Sequence, residues 1–186
     1  MARRPPRRTV RIEDVEYGYS ISQERIARAL DKVNRYSLIE RLRRLDDVNA
    51  AQPELFGAVF DVMRQGVNAK TTDHAVQVLL VLFECFLELA PDFPKIPRPP
   101  IDRSLLDLKN LSKFLDAPPL ELPEPLAHPW ASRHAEHHVV CFVVDHLRRT
   151  VPDQIREHHF IFIVSLAVMN TYLDTLATLE VDPELI

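Results

Sequence analysis

Apolar residues recur every three or four positions through much of the chain, which is the spacing of an amphipathic α-helix. The row Leu38, Leu42 and Leu45 follows this spacing, but it is out of phase with the apolar positions of residues 20–33. We therefore predict two helices with a break at residues 34–36, rather than one long helix.

Each of these two helices begins at a predicted capping box, in which an N-cap serine and a residue three positions later satisfy each other's backbone N–H groups. The pairs are Ser20 with Gln23 and Ser37 with Glu40. Arg41, Arg43 and Arg44 lie opposite the leucine row of the second helix. The pattern therefore predicts that this helix packs through its leucines and exposes its arginines to solvent.

Four further helices are predicted from more apolar segments, and together they supply enough apolar surface for one helical core. They span residues 53–65, 73–90, 132–149 and 153–179. The helix at 73–90 has a narrow polar stripe on an otherwise apolar surface, which marks it as central. The stripe consists of Asp73, Gln77, Glu84 and Glu88. Residues 159–169 are apolar on every side, so we expect them to be buried on every side.

Ten of the fifteen prolines lie within residues 91–130. We interpret this segment as a packed strap that contains one short helix, from Asp102 or Ser104 to about Asp116. Because three glycines are few for hairpin turns, the predicted fold class is all-α. We predict a single bundle of about six to seven helices over residues 20–186, which ends in a helical hairpin and follows a basic, extended arm at 1–19.

The composition is that of one ordinary globular domain: 186 residues, 46% hydrophobic and 27% charged. The net charge of −4 argues against a dedicated polyanion binder. Cys85 and Cys141 both lie in apolar segments, so we predict buried free thiols and an intracellular, reducing compartment, with an organellar assembly left open. The longest apolar stretch, Phe160–Met169, is shorter than the roughly 20 residues that span a bilayer, so no transmembrane segment is predicted.

Positive charge is concentrated in the N-terminal arm, at Arg3, Arg4, Arg7, Arg8 and Arg11. Such an arm can neutralise phosphates or dock on an acidic protein. Combined with Arg41 and Arg44, it supports an alternative function as a nucleic-acid-associated helical protein.

Seven of the eight histidines lie between His128 and His159. His134 and His138 are four residues apart on one helix face, the spacing of paired metal ligands. The expectation is that the protein has no cofactor, and a Zn or Fe site at these two histidines stays as an alternative.

No convincing catalytic set is present, so we predict that the protein is not an enzyme. Cys141 has His137 one turn away, but its other neighbours are apolar. Scattered glycines cannot form a phosphate-binding loop. Arg133 and His138 have the Arg-x4-His spacing that resembles the motif of helical RNases.

Residues 38–50, LIERLRRLDDVNA, resemble the BH3 helix of Bcl-2-type apoptosis regulators. The hydrophobic anchors of that motif are matched by Leu38, Leu42 and Leu45, and its acidic position by Asp47. The segment MRQGVN at 63–68 is similar to the start of the BH1 region. The resemblance implies an apoptosis regulator, which we keep as a minor alternative.

The function that the sequence favours is a non-enzymatic helical protein–protein interaction module, an accessory subunit or adaptor of a larger assembly. Its predicted partners are other protein subunits, and a homo-oligomer is left open. The predicted partner-binding residues are the five arginines of the arm, Arg41, Arg44 and Trp130 of the Pro-rich strap.

Overall fold

The computed structural model describes residues 21–114, 136–151 and 158–178, and every regular element within them is an α-helix. The predicted all-α class is confirmed. The seven helices of the described ranges are α1 (Gln23–Asn34), α2 (Leu38–Ala51), α3 (Pro53–Arg64), α4 (Ala69–Leu89), α5 (Arg98–Phe114), α6 (His137–Thr150) and α7 (His158–Leu176).

The predicted break between the first two helices is confirmed, since α1 ends at Asn34 and α2 begins at Leu38. The capping box of α2 is also confirmed. The Oγ atom of Ser37 accepts a hydrogen bond from the Glu40 backbone N–H at 3.3 Å. The Ser37 N–H in turn donates to the Glu40 carboxylate at 2.8 Å.

The N-terminal cap predicted for α1 is wrong. The N-cap residue is Ser22, whose Oγ accepts a hydrogen bond from the Arg25 N–H at 3.2 Å. Gln23 is therefore the first helical residue and cannot be the third residue of a capping box. Ser20 lies outside the described residues.

The junction of α2 and α3 is fixed by Gln52. Pro53 is the first residue of α3, as predicted, and Gln52 precedes it as the N-cap residue. The buried Gln52 side chain donates to the Pro94 carbonyl at 2.9 Å and accepts from the Ile96 N–H at 2.9 Å. This one side chain thus ties the junction to the segment that leads into α5.

A glycine in the left-handed region separates α3 from α4. Gly66 has a φ of 93°, which suits the position just after a helix end, and α3 ends two residues before it at Arg64. Helix α4 then begins at Ala69, earlier than the predicted Asp73, because Asn68 caps it. The Asn68 side chain accepts a hydrogen bond from the Thr71 N–H at 2.9 Å.

Helix α5 is longer than the short helix predicted inside the Pro-rich strap. It begins at Arg98, so Pro99 and Pro100 lie in its first turn, and the predicted start at Asp102 or Ser104 is wrong. Proline is tolerated there because the first N–H groups of a helix have no intrahelical partner. The helix packs on α7 and α3. Residues 115–130 of the strap lie outside the described residues.

Helix α6 begins at His137 with Glu136 as its N-cap residue, and the predicted start at Ser132 lies outside the described residues. The Glu136 carboxylate is buried and accepts a hydrogen bond from the Ile21 N–H at 3.0 Å. This bond ties the beginning of α6 to the segment before α1. Helix α6 also packs on α1, α4 and α7. The turn of the predicted hairpin, residues 152–157, lies outside the described residues.

Helix α7 forms the middle of the core. Residues 161–169 are all buried, as expected, whereas Phe160, which was expected to be buried with them, is 39% exposed. The helix packs on α3, α4, α5 and α6. Near its end Tyr172 stacks on Phe86 of α4, with ring centroids 4.6 Å apart, and Phe93 completes the aromatic cluster.

The same helix is long and apolar enough to cross a membrane, judged by length and composition alone. The window His159–Leu176 has a mean hydropathy of 1.4, and 72% of it is buried inside the protein. A helix that is apolar all round is typical of a protein core as well as of a membrane span. Its contacts with four other helices agree with a helix of the protein core.

Candidate protein interaction site

The polar stripe of α4 faces α1 and α2. Each of its four members has a polar partner on one of these two helices, so the stripe is an interhelical contact rather than a solvated edge. Outside the Glu84 contacts, the pairs are Arg41 with Asp73 (2.6 Å), Gln77 with Asn34 (2.8 Å), and Glu88 with both Arg25 and Arg28 (3.9 Å each).

Glu84 lies at the centre of this contact and is only 1% exposed. Its carboxylate accepts hydrogen bonds from Lys32 Nζ at 2.6 Å, from Tyr36 Oη at 2.7 Å and from Arg44 Nη2 at 2.9 Å, with a further bond from Arg44 Nε. The Arg44 guanidinium also lies 5.3 Å from the centroid of the Phe83 ring. We call Glu84, Lys32, Tyr36 and Arg44 the Glu84 cluster.

The electrostatics of the Glu84 cluster keep its carboxylate ionised. Burial by itself raises the pKa of Glu84, but the hydrogen bonds from Arg44, Lys32 and Tyr36 outweigh burial and lower that pKa to about 2. Burial, with the hydrogen bond to Glu84, raises the pKa of Tyr36 to about 12. The cluster is therefore a fixed ion pair at neutral pH and not a proton donor or acceptor.

Because Arg41 and Arg44 point toward α4, the leucine row of α2 turns outward. Leu38, Ile39 and Leu42 are 74%, 64% and 54% exposed. The predicted orientation of α2 is therefore wrong for most of the helix: of the leucines expected to pack, Leu38 and Leu42 are in solvent and only Leu45 packs against the core. Two of the three arginines expected in solvent contact α4. We call Leu38, Ile39 and Leu42 the α2 edge.

A shallow apolar groove of about 330 Å³ lies between α3, α5 and α7. Its floor includes Val62, Leu105 and Val164. Two large side chains at the groove are exposed, Leu106 by 56% and Phe160 by 39%. We call this the α5–α7 groove, and the sequence pattern did not predict it.

The residues predicted to bind metal are only partly described. His134 lies outside the described residues, and His138 is half-buried on α6. His138 lines a second groove against α1, together with Cys141, Asp145 and His146. Within residues 21–114, 136–151 and 158–178, no three or more His, Cys, Asp or Glu side chains are grouped so as to hold a metal ion.

The two thiols are in different environments. Cys85 is buried, as predicted, whereas Cys141 is exposed, so its predicted burial is wrong. Burial raises the pKa of Cys85 to about 12. Burial and the nearby Asp145 carboxylate raise the pKa of Cys141. Both thiols are therefore protonated at neutral pH, which is not the state of an activated nucleophile.

Most of the other predicted partner-binding residues are outside the described part of the chain. These are Arg3, Arg4, Arg7, Arg8, Arg11 and Trp130. Of the positions that resemble BH3 anchors, Leu38 and Leu42 are exposed and Leu45 is half-buried against the core. Asp47 accepts a hydrogen bond from Arg44 at 3.0 Å.

Comparisons with known proteins found no relative of this chain. Neither the protein-family models, nor the curated proteins, nor the solved structures gave a match to the chain.

Proposed function

We propose that the protein is a non-enzymatic interaction module that binds a protein partner through the α2 edge. One observation carries this proposal: Leu38, Ile39 and Leu42 are exposed side by side on a helix whose opposite side is held by an ion-pair cluster. Exposed apolar side chains that lie together on a folded surface mark interaction sites. Helices that present apolar anchors one turn apart, as Leu38 and Leu42 are, form a common recognition element.

The Glu84 cluster supports this proposal because it makes the exposure a stable property of the fold. To bury the α2 edge, the helix would have to turn about its axis and carry Arg44 away from Glu84. Glu84 would keep its bonds from Lys32 and Tyr36 but lose those from Arg44, at a cost of about 2 kcal/mol. The same rotation would expose Val48, which is fully buried.

The non-enzymatic part of the proposal is supported by the state of the candidate catalytic groups. The buried carboxylate of Glu84 is ionised and fully engaged in hydrogen bonds. Neither Cys85 nor Cys141 has the lowered pKa of a nucleophilic thiol. As a module of this kind, the protein would serve as an accessory subunit or adaptor in a reducing, intracellular compartment.

The test is native co-purification of the full-length protein with Leu42→Glu and a matched control, Ala50→Glu. Ala50 is exposed on the same helix, about 12 Å further along its axis, and the substitution adds the same charge. We expect wild type and the control to retain one stoichiometric set of proteins, and Leu42→Glu to lose it at least tenfold.

A set that Leu42→Glu retains unchanged would contradict the proposal. Nuclease treatment is included in each purification. If the associated material disappears with nuclease, the nucleic-acid alternative gains support, which now depends on the arm because Arg41 and Arg44 are engaged with α4.

A further inference from the structure

His146 on α6 lies in surroundings that suit only its neutral form. The ring is half-buried and lines the groove between α1 and α6. Its Nε2 atom is buried and has no hydrogen-bond partner in the described part of the chain. The centroid of the Phe142 ring lies 5.6 Å from that of the His146 ring. Because both nitrogens of a protonated histidine are donors, Nε2 would then carry a buried N–H group without an acceptor.

The neighbouring helices offer His146 no counterion among the residues that the structure describes. From α1, the groove is lined by four uncharged residues: Gln23, Ile26, Ala27 and Leu30. From α4, the group that acts on His146 is another histidine, His74, which is also half-buried. Two protonated rings across the α4–α6 contact would repel each other, so protonation of one opposes protonation of the other.

The other charged groups around this contact do not compensate for protonation of His146. On α4, Asp73 already forms an ion pair with α2, and Lys70 is itself a cation. On α6, the exposed side chains of Asp145 and Arg149 lie 3.6 Å apart and pair with each other. The titratable side chains described on α7 are His159 in the α5–α7 groove, Tyr172 on the Phe86 ring and the exposed Asp174.

The pKa values of the two histidines follow from this arrangement. Burial lowers the pKa of His146 below its ordinary value of 6.5, and His74 lowers it further. Burial also lowers the pKa of His74, while Asp73 opposes that decrease and Lys70 adds to it. A base whose pKa is lowered by folding contributes stability that is fully present above the ordinary pKa and is lost as pH falls below it. The contacts of α6 should therefore weaken between neutral pH and about pH 5.

We propose that α6 is an acid-sensitive element of the fold: the neutral ring of His146 keeps it in place, and protonation of His146 and His74 releases it from α1 and α4. Release uncovers the buried apolar side of α6. This side consists of Val139, Val140, Val143 and Leu147, each at most 1% exposed. Protonation of histidines switches protein interfaces between about pH 5 and pH 6 in many proteins. The inference goes beyond the proposed function, since it concerns α6 and not the α2 edge.

The test is hydrogen–deuterium exchange of the full-length protein at about pH 7.5 and about pH 5, with protection factors corrected for the intrinsic effect of pH. This window lies above the ordinary range of carboxyl pKa values, so histidines are the side chains that titrate in it. We expect the protection factors of α6 amides to fall by at least about threefold at the lower pH, while those of residues 161–169 hold. If His146 regains its ordinary pKa in the released state, it alone contributes at most about thirtyfold.

Variants assign the response to His146. His146→Phe keeps an aromatic ring that cannot be protonated, so most of the fall in α6 protection should disappear. His146→Gln is a second such variant in case the first fails to fold, which helical circular dichroism checks. The matched control is His159→Phe, the same substitution on a half-buried histidine outside the α1–α6 groove, and it should retain the wild-type response.

Three results would overturn the inference. Unchanged α6 protection at the lower pH would show that α6 is not released. An equal fall for residues 161–169 would show a loss of global stability instead of the release of one helix. A fall that persists undiminished in His146→Phe or His146→Gln would show that another group controls it. Each of these results leaves the proposed function in place, since co-purification with Leu42→Glu tests the α2 edge separately.

Discussion

Helices α7 and α2 come to their orientations for different reasons. Helix α7 is apolar on every side and is enclosed by four neighbouring helices, so its burial does not depend on which of its sides faces which neighbour. Helix α2 offers one row of leucines and one row of arginines, and it turns the arginines inward because α4 presents a buried carboxylate, Glu84. The difference shows that a single buried charge can decide the orientation of a helix whose apolar pattern points the other way.

The largest contrast between the two helices is expected from side-chain truncation. Phe162 in α7 is fully buried, so Phe162→Ala should lower the free energy of unfolding by about 3–5 kcal/mol. Leu42→Ala in α2 removes an exposed side chain and should change it by less than about 0.5 kcal/mol. Urea denaturation of both variants gives the comparison, and a comparable loss for Leu42→Ala would show that the α2 edge is buried.

The next largest effect is the pH dependence that Glu84 confers on the α2–α4 contact. The pKa of Glu84 is about 2 in the folded protein, below its ordinary value of 4.5. A lowered carboxyl pKa contributes stability that is present above the ordinary value and is lost as pH falls toward the folded value. At neutral pH we expect Glu84→Gln to be less stable than wild type by roughly 2–3 kcal/mol.

This gap in the free energy of unfolding should close between about pH 5 and pH 2, because the wild type alone loses the ion pair there. Chemical denaturation of the two proteins across that window measures it. A gap that stays constant down to pH 2 would mean that the Glu84 carboxyl group is not held in its ionised form by Arg44, Lys32 and Tyr36.

The smallest of these effects compares two adjacent arginines. Arg44 donates to Glu84 and lies on the Phe83 ring, so Arg44→Ala should cost about 2 kcal/mol of unfolding free energy. Arg43 is exposed and serves as the matched control, with an expected change below about 0.5 kcal/mol. Equal losses for the two variants would remove the distinction between an inward and an outward arginine.

The sequence pattern predicts most of the fold, because helix boundaries and all-round burial depend on local residues. The capping box at Ser37 and Glu40, the start of α3 at Pro53 and the enclosure of residues 161–169 are local properties of this kind. The start of α5 differs from the prediction because Pro99 and Pro100 lie in its first turn, where a helix accepts proline although the density of prolines favours an extended strap.

The site was harder to predict because it depends on residues that are distant in sequence. Glu84 lies on α4, far along the chain from Arg44, and no periodicity within α2 reveals their contact. One signal was available: Glu84 lies inside the otherwise apolar stretch LFECFL (82–87), and an acid buried in a central helix requires cationic partners. Nothing local indicated the α5–α7 groove, since α3, α5 and α7 each contribute only one side of it.

The outward orientation of α2 is tested most directly by NMR of methyl groups in the presence of a soluble paramagnetic probe, at protein concentrations where the chain is monomeric. The probe broadens methyl signals according to their exposure to solvent. If α2 turns its arginines toward Glu84, the methyl signals of Leu38, Ile39 and Leu42 will broaden strongly, and that of Val48 will be protected. Protection of Leu38 and Leu42 to the level of Val48 would contradict this orientation and, with it, the proposed interaction site.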